Sequence, residues 1–340
     1  MTQNFNPEKN IAALLKDYTP IMRYDKSEDF SKWQSDARAK LRELLGIDLM
    51  HKCEPNFKIT EKIDCGDHTK IYFAFNSEEN YTVPCCLAVP KSAKAKMPLM
   101  ICLQGHSNGM HISLGVPKFS GDDGDVPTGH HTRFAMDNGY CALAIEQRYM
   151  GQCGGDEKGP GCLANGRGQT ASPLTTLLMG RSAIGERVFD ISCAIDVVCE
   201  NFDVVDADDI SCIGSSGGGT ATYYAACIDE RIKNAVASCA VCTYLDSIVN
   251  LFHCPCNYVP SVARYFDMGD LGGLIAPRAL VIYAGEEDPI FPIDGVKKCY
   301  KIIKELYNKA GADDKVILAT AKMPHRFNKD VAYNALNKVR

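Results

Sequence analysis

Gly214, Ser216 and Gly218 stand in Gly-x-Ser-x-Gly spacing within Ile210-Ser211-Cys212-Ile213-Gly214-Ser215-Ser216-Gly217-Gly218-Gly219-Thr220. The motif follows an apolar run and precedes the helix-compatible stretch Thr220 to Ile228, the strand-turn-helix context that a nucleophilic serine requires. A chain that turns from strand to helix within two residues strains the serine, and neighbours with side chains would collide. The Ser216 hydroxyl is therefore expected to project from the top of a sheet, with the amide of Gly217 at the helix start pointing toward a developing oxyanion. The chemistry implied is acyl transfer through a serine. A phosphate-cradling loop would need a Lys after the last Gly, or a wider Gly spacing with an acid about twenty residues on; neither is present.

A serine in such a turn needs an acid and a base, which follow it in the order Ser, Asp or Glu, His. After the apolar run Leu280 to Ala284 comes Gly285-Glu286-Glu287-Asp288-Pro289. Asp288, its backbone restrained by Pro289, is the expected acid; Glu287 is the competing carboxylate, and Glu286 reads as solvated. Of the eight histidines, only His325 follows the last strand-like run, so chain order rather than residue type makes it the expected base. Its imidazole would take the Ser216 proton while a carboxylate holds the other ring nitrogen. The second oxyanion donor is expected from Gln104-Gly105-His106, where Gly105 allows close backbone approach and the amide of His106 is the donor.

These residues must be placed by a sheet. Residues 1–50 read as a helical N-terminal extension: Ile11, Leu14 and Leu15, then Trp33, Ala37, Leu41, Leu44 and Leu45, recur at helical spacing until Gly46 stops the second run. Phe57 to Ile63, Lys70 to Phe75 and Thr82 to Val89 read as strands with short turns, hence antiparallel. Leu99 to Leu103, Cys141 to Ile145, Ile210 to Ile213, Ala235 to Val241, Leu280 to Ala284 and Val316 to Ala319 are apolar runs separated by helical stretches or Gly-rich loops. They predict parallel strands covered on both faces. The fold class is α/β: a mostly parallel central sheet with antiparallel N-terminal strands, in a catalytic domain over residues 51–340. Long connections at 105–139 and 147–180 are expected to be functional loops. The aromatic segment 243–275 reads as a helical cap or pocket wall, offering Tyr244, Tyr258 and Tyr265 as substrate-pocket residues.

The chain resembles the α/β-hydrolase superfamily, and within it the bacterial branch of acetyl xylan esterase-like and dienelactone hydrolase-like proteins. The resemblance covers about residues 30 to 340. It is carried by the elbow, Gln104-Gly105-His106, Gln147-Arg148-Tyr149-Met150-Gly151, Gly180-Arg181 with Arg187 and Asp190, Arg264-Tyr265-Phe266-Asp267-Met268, and Ile275-Ala276-Pro277-Arg278. It implies a serine hydrolase that cleaves small carboxylic esters, such as acetyl esters of carbohydrates, without a cofactor. Dienelactone hydrolase has a cysteine at the elbow where this chain has Ser216. A peptidase or amidase of the same fold is the rival within enzymes, although the residues before the first strand are too few for the propeller of prolyl oligopeptidase-type enzymes. A silent binding protein that kept the fold is the rival outside them.

Composition narrows the partners. A 340-residue chain with 46% hydrophobic and 23% charged residues is an ordinary globular protein, and its net charge of -5 offers no basic footprint for nucleic acid or an anionic membrane surface. The N-terminal residues lack a signal-like apolar core and no apolar run has membrane-spanning length, so a cytoplasmic protein is expected. The partner is a small-molecule ester or acetylated sugar, and a homo-oligomer stays open. Seventeen cysteines, an odd number set in apolar runs, read as buried free thiols. Cys239-x-x-Cys242 and His253-Cys254-Pro255-Cys256 have metal-like spacing, but structural zinc needs four convergent ligands and strand residues at i and i+3 diverge. Asp122, Asp123 and Asp125 with His130 and His131 read as a solvated loop. No metal is expected at either place.

Overall fold

Nine strands form one sheet in the computed structural model, which describes residues 6–93, 95–107, 109–154 and 172–340. They are β1 (Lys58–Asp64), β2 (His68–Glu78), β3 (Tyr81–Pro90), β4 (Met97–Leu103), β5 (Cys141–Ile145), β6 (Val205–Ser215), β7 (Ile232–Ser238), β8 (Ala279–Gly285) and β9 (Val316–Ala321). Their spatial order is β1-β2-β3-β5-β4-β6-β7-β8-β9. The first three strands pair antiparallel, as does β3 with β5, and every pair from β5 to β9 is parallel. The chain passes from β4 to β5 on one side and then across to β6 on the other. The order therefore reverses at β4, and the crevice at its carboxyl end is where open α/β sheets bind ligands.

The helices are α1 (Pro7–Lys16), α2 (Phe30–Leu45), α3 (Asp122–Gly129), α4 (His131–Asp137), α5 (Ser172–Leu177), α6 (Ala183–Asn201), α7 (Gly217–Ile228), α8 (Val262–Tyr265), α9 (Met268–Leu271), α10 (Ile293–Lys309) and α11 (Lys329–Val339). Along β4, Leu99, Ile101 and Leu103 enter one core with Trp33, Val188 and Tyr223, whereas Met100 and Cys102 enter the opposite core with Phe134 and Leu336. Alternation on a strand buried on both faces sends successive side chains to different helical layers. No described helix is long and apolar enough to cross a membrane.

The N-terminal expectation holds for α2, which buries Trp33, Ala37, Leu41 and Leu45 and ends on Gly46 at φ 73°. It holds for α1 as a helix too, although α1 buries no residue and leaves Ile11 and Leu14 exposed. The 105–139 connection carries α3 and α4 instead of running without structure. Within the 147–180 connection, residues 155–171 lie outside the described residues. The 243–275 segment holds only short helical turns, α8 and α9 among them.

Arg148, in the loop after β5, ties the site side of the sheet to α6 and β2. Its guanidinium makes two bonds of 2.8 Å to Asp190 and one of 2.9 Å to Glu78, and lies 3.9 Å from the centre of the Tyr81 ring. Ser77 Oγ donates to Asp190 Oδ1 at 2.6 Å, and Arg181 reaches Glu78 at 2.7 Å. Asp190 is fully buried; burial raises its carboxyl above the ordinary value even against Arg148. Removing one member of such a pair strands a charge, which costs about 3 to 5 kcal/mol. Asp190→Ala is expected to lower unfolding free energy by about 3 kcal/mol, read as a shifted denaturation midpoint at unchanged m-value; a loss within measurement error would mean that Glu78 alone satisfies Arg148.

Candidate active site

β6 delivers Ser216 at φ 54° and ψ -121°, and α7 starts at the next residue. A non-glycine residue at positive φ with extended ψ is strained, costing on the order of 1 to 3 kcal/mol, so the surroundings must hold it. The Ser216 amide donates to Ser238 O of β7 at 2.8 Å, and Ser216 O accepts from Thr220 N at 2.8 Å. A Cβ on Gly214 would overlap the Gly218 carbonyl, one on Gly218 the Leu103 carbonyl, and one on Gly219 the Ser238 carbonyl. The glycines let β4, β6, β7 and α7 meet at the turn. Both Gly214 and Gly218 of the motif are therefore explained by backbone contact alone.

The Gln104-Gly105-His106 turn after β4 lies against this elbow. A Cβ on Gly105 would sit 3.0 Å from Ser215 O and 3.3 Å from Ser216 Cβ. The His106 ring covers Gly217, where an added Cβ would meet its Cε1 at 2.5 Å. The first amides of a helix have no intrahelical acceptor, so the Gly217 N–H at the start of α7 has no carbonyl of its own helix to bind.

On the turn after β8, Glu286 and Glu287 point to solvent and Asp288 is buried. Asp288 Oδ2 lies 2.7 Å from His325 Nδ1, while Asp288 Oδ1 accepts from Ile290 N at 2.8 Å and Phe291 N at 3.1 Å. Burial works to raise this carboxyl, but the hydrogen bond and charge of His325 and the two amides outweigh it, holding Asp288 below its ordinary value. Phe291 stacks on His325 with ring centres 5.9 Å apart, and His253 of the 243–275 segment packs on Phe291 at 5.3 Å. With Nδ1 on the carboxylate, His325 presents Nε2 to its surroundings.

Ser216 and His325 line one cleft of about 130 Å³ with Gln104, His106, Ile112 and Phe327. His131, from α4, lines it too, and burial pushes its imidazole down to about 4. The three tyrosines do not line this cleft. Tyr244 is buried with its hydroxyl 2.6 Å from that of Tyr224, and it shares with Tyr258 an apolar groove of about 600 Å³ beneath α1. Tyr265 is half-buried under Lys40 of α2. Aromatic residues identify a packed segment, but their spacing in a chain of short turns does not reveal which of them face the sheet end.

Several neighbours of the site escape sequence reasoning. Asp122 is not part of a solvated loop; it is buried, 2.9 Å from His111 Nε2 and accepting from the amides of Lys118 and Phe119 at 2.8 Å. Cys239 lies just past the end of β7, not in the strand, beside Asp288 and His325, while Cys242 faces Pro292 O. The described cysteines are all free and most are buried. Glu146, at the end of β5, is buried and accepts from Met110 N at 2.9 Å and Gln104 Nε2 at 3.3 Å. It thereby joins the loops after β4 and β5 directly behind the Gln104-Gly105-His106 turn. A lone Glu after a strand carries no signal for this in sequence.

The profile of the family described as acetyl xylan esterase (AXE1) matches residues 12–270. A Bacillus subtilis strain 168 protein, YtaP, provisionally described as a hydrolase, is 29% identical over 227 residues, covering 66% of this chain and 72% of its own. A Bacteroides fragilis structure provisionally described as an acetyl xylan esterase superimposes with TM-score 0.83 at 14% identity, over 99% of this chain and 96% of that one. A glucuronoyl esterase from Solibacter usitatus gives TM-score 0.68 at 18% identity, over 96% and 98%. At such identities the likeness of the structures is one of fold: the α/β-hydrolase fold, with its mixed sheet and flanking helices.

The buried Glu146 has a consequence for pH dependence. Burial pushes its carboxyl up to about 7, so the folded chain holds a proton that the unfolded chain releases near pH 4. Its contribution to stability is complete below the unfolded pKa and is lost as pH rises through about 7. Glu146→Gln is expected to remove that loss, so the stability difference between variant and wild type grows in the variant's favour from pH 5 to pH 8, in denaturation curves taken at about unit intervals. A difference independent of pH would show that Glu146 is ionised throughout.

Proposed function

The chain belongs to the acetyl xylan esterase (AXE1) family of carboxylic ester hydrolases, and from that premise we propose that it cleaves small-acyl esters, acetyl groups on carbohydrates among them, through an acyl-enzyme on Ser216. The observation that carries the reading is the pairing of Asp288 with His325 at 2.7 Å in the cleft that the strained Ser216 lines.

Ser216 Oγ attacks the ester carbonyl carbon as His325 Nε2 takes its proton. Asp288, kept ionised by its hydrogen bonds, fixes the ring through Nδ1 and stabilises the imidazolium. The carbonyl oxygen becomes an oxyanion that rests on the amides of Gly217 and His106, a contribution worth about 3 kcal/mol per donor in comparable sites. Collapse expels the alcohol, which takes the proton from His325. Water then enters, loses its proton to the same nitrogen and releases the acid. The glycine contacts support the role of the two amides, since they bring both backbone turns against Ser216.

The size of the cleft supports a short acyl group. At about 130 Å³ it is smaller than the roughly 300 to 1,000 Å³ of sites that enclose a drug-sized ligand.

Ser216→Ala is expected to lose on the order of a millionfold in turnover, and Asp288→Asn about ten-thousandfold with normal folding; Glu287→Gln should stay near wild type. If Glu287→Gln is the more damaging change, the acid is another residue than Asp288. In a series of p-nitrophenyl esters, kcat/KM should fall from acetyl or propionyl to octanoyl, because each methylene that finds no space forfeits about 1 to 3 kcal/mol of discrimination. A steady rise from acetyl to decanoyl would contradict a closed acyl cleft.

A further inference from the structure

His106 has a second neighbourhood that ester hydrolysis does not use. Its Nε2 lies 2.9 Å from Cys254 Sγ, although the two residues are 148 positions apart. Cys256 completes the group: the imidazole nitrogen and both sulfurs lie within 4.8 Å of one another. The run His253-Cys254-Pro255-Cys256 supplies two of the donors, since His253 Nε2 lies 2.9 Å from Ser247 Oγ instead, and the third arrives from the loop after β4 through the fold.

The state of the sulfurs suits metal chemistry. Arg187 is fully buried and its Nη2 lies 3.1 Å from Cys256 Sγ. Its other bonds go to Arg148 O, its Nη1 has no partner, and among the described residues no carboxylate comes within ion-pair distance of it. A buried guanidinium without an acid requires an anion beside it, and the Cys256 thiolate is that anion. Thiolates, not thiols, bind metals.

We propose that His106, Cys254 and Cys256 bind a thiophilic divalent cation of the zinc class at the edge of the cleft, and that its occupancy restrains the hydrolase. One His and two Cys are the donor set of a three-ligand zinc site with a free fourth position. A tetrahedral ion with bonds of about 2.0 to 2.3 Å needs ligand atoms about 3.5 to 4 Å apart, so His106 and Cys254 need only part slightly. On binding, the Cys254 thiol loses its proton, both sulfurs are then thiolates, and the neutral imidazole donates its Nε2 pair. Arg187 then remains as a hydrogen-bond donor to a metal-bound sulfur. The restraint follows from place: the same imidazole covers Gly217, and its backbone turn lies against Ser216.

A rival cluster, Cys239 with Asp288 and His325, is poorer. Both Asp288 oxygens are already engaged, and burial pushes the Cys239 thiol up to about 12.

The fully reduced full-length chain is titrated anaerobically with Co²⁺ and Cd²⁺, with thiolate-to-metal charge-transfer absorbance and released protons as readouts. Stoichiometric absorbance with about one proton released per ion is expected, lost in Cys256→Ser and in the more exposed Cys254→Ser, and kept in Cys239→Ser. Ser216→Ala should bind like wild type, because the cation binds whether or not the hydrolase reading holds; only its effect on turnover rests on that reading. In the wild type, ester turnover should fall in step with absorbance. Absence of absorbance at stoichiometric metal, its survival in both Cys254→Ser and Cys256→Ser, or turnover unchanged at a saturated site would overturn the proposal.

Discussion

The backbone at Ser216 is the constraint on which the rest of this structure depends. A serine at φ 54° is not held by its own preferences; β4, β6, β7 and α7 must converge on it closely enough that no other conformation fits. Gly214, Gly218 and Gly219 are the means, each sitting where a methyl group would strike a carbonyl of a neighbouring element. The same closeness sets the Gln104-Gly105-His106 turn beside Ser216 and leaves the start of α7 facing it. The strained turn at Ser216 thus results from backbone packing.

That packing needs a stiff support, and it comes from charged and polar groups buried behind the loops. Arg148 with Asp190 and Glu78 fastens the loop after β5 to α6 and β2, while Glu146 fastens it to the loop after β4. Buried charges of this kind add little net stability compared with apolar packing, but they are costly to leave unpaired. They therefore select one arrangement of the loops over others of similar apolar burial. Arg187 belongs to this layer and differs within it, because its counter-charge is a sulfur instead of a carboxylate.

Much of this was legible from residue types and spacing. All nine apolar runs became strands, since a period-2 or continuous apolar pattern bounded by Gly and acidic turns has few other uses. Ser216, Asp288 and His325 were singled out by motif and chain order; Asp288 and His325 meet at 2.7 Å, and Ser216 and His325 line one cleft. Tyr244, Tyr258 and Tyr265 do not line the Ser216 cleft, and an irregular segment has no periodicity from which to assign its faces. Asp122 looked solvent-facing, and the burial of Glu146 and Arg187 left no mark in sequence, since burial of an ionisable group depends on partners distant in the chain. The convergence of His106 with Cys254 and Cys256 was hidden for the same reason: only the sheet order brings the loop after β4 under the 243–275 segment.

The central claim, that the strained Ser216 is an activated nucleophile in a pocket assembled by the sheet, is tested most directly by covalent labelling. The full-length chain would be treated with a small phosphonate ester and the adduct mapped by fragmentation mass spectrometry. The account predicts a single adduct on Ser216, formed in parallel with loss of ester hydrolysis and slowed by substrate. An adduct on a cysteine, or inactivation-free protein that still hydrolyses esters after exhaustive treatment, would contradict it.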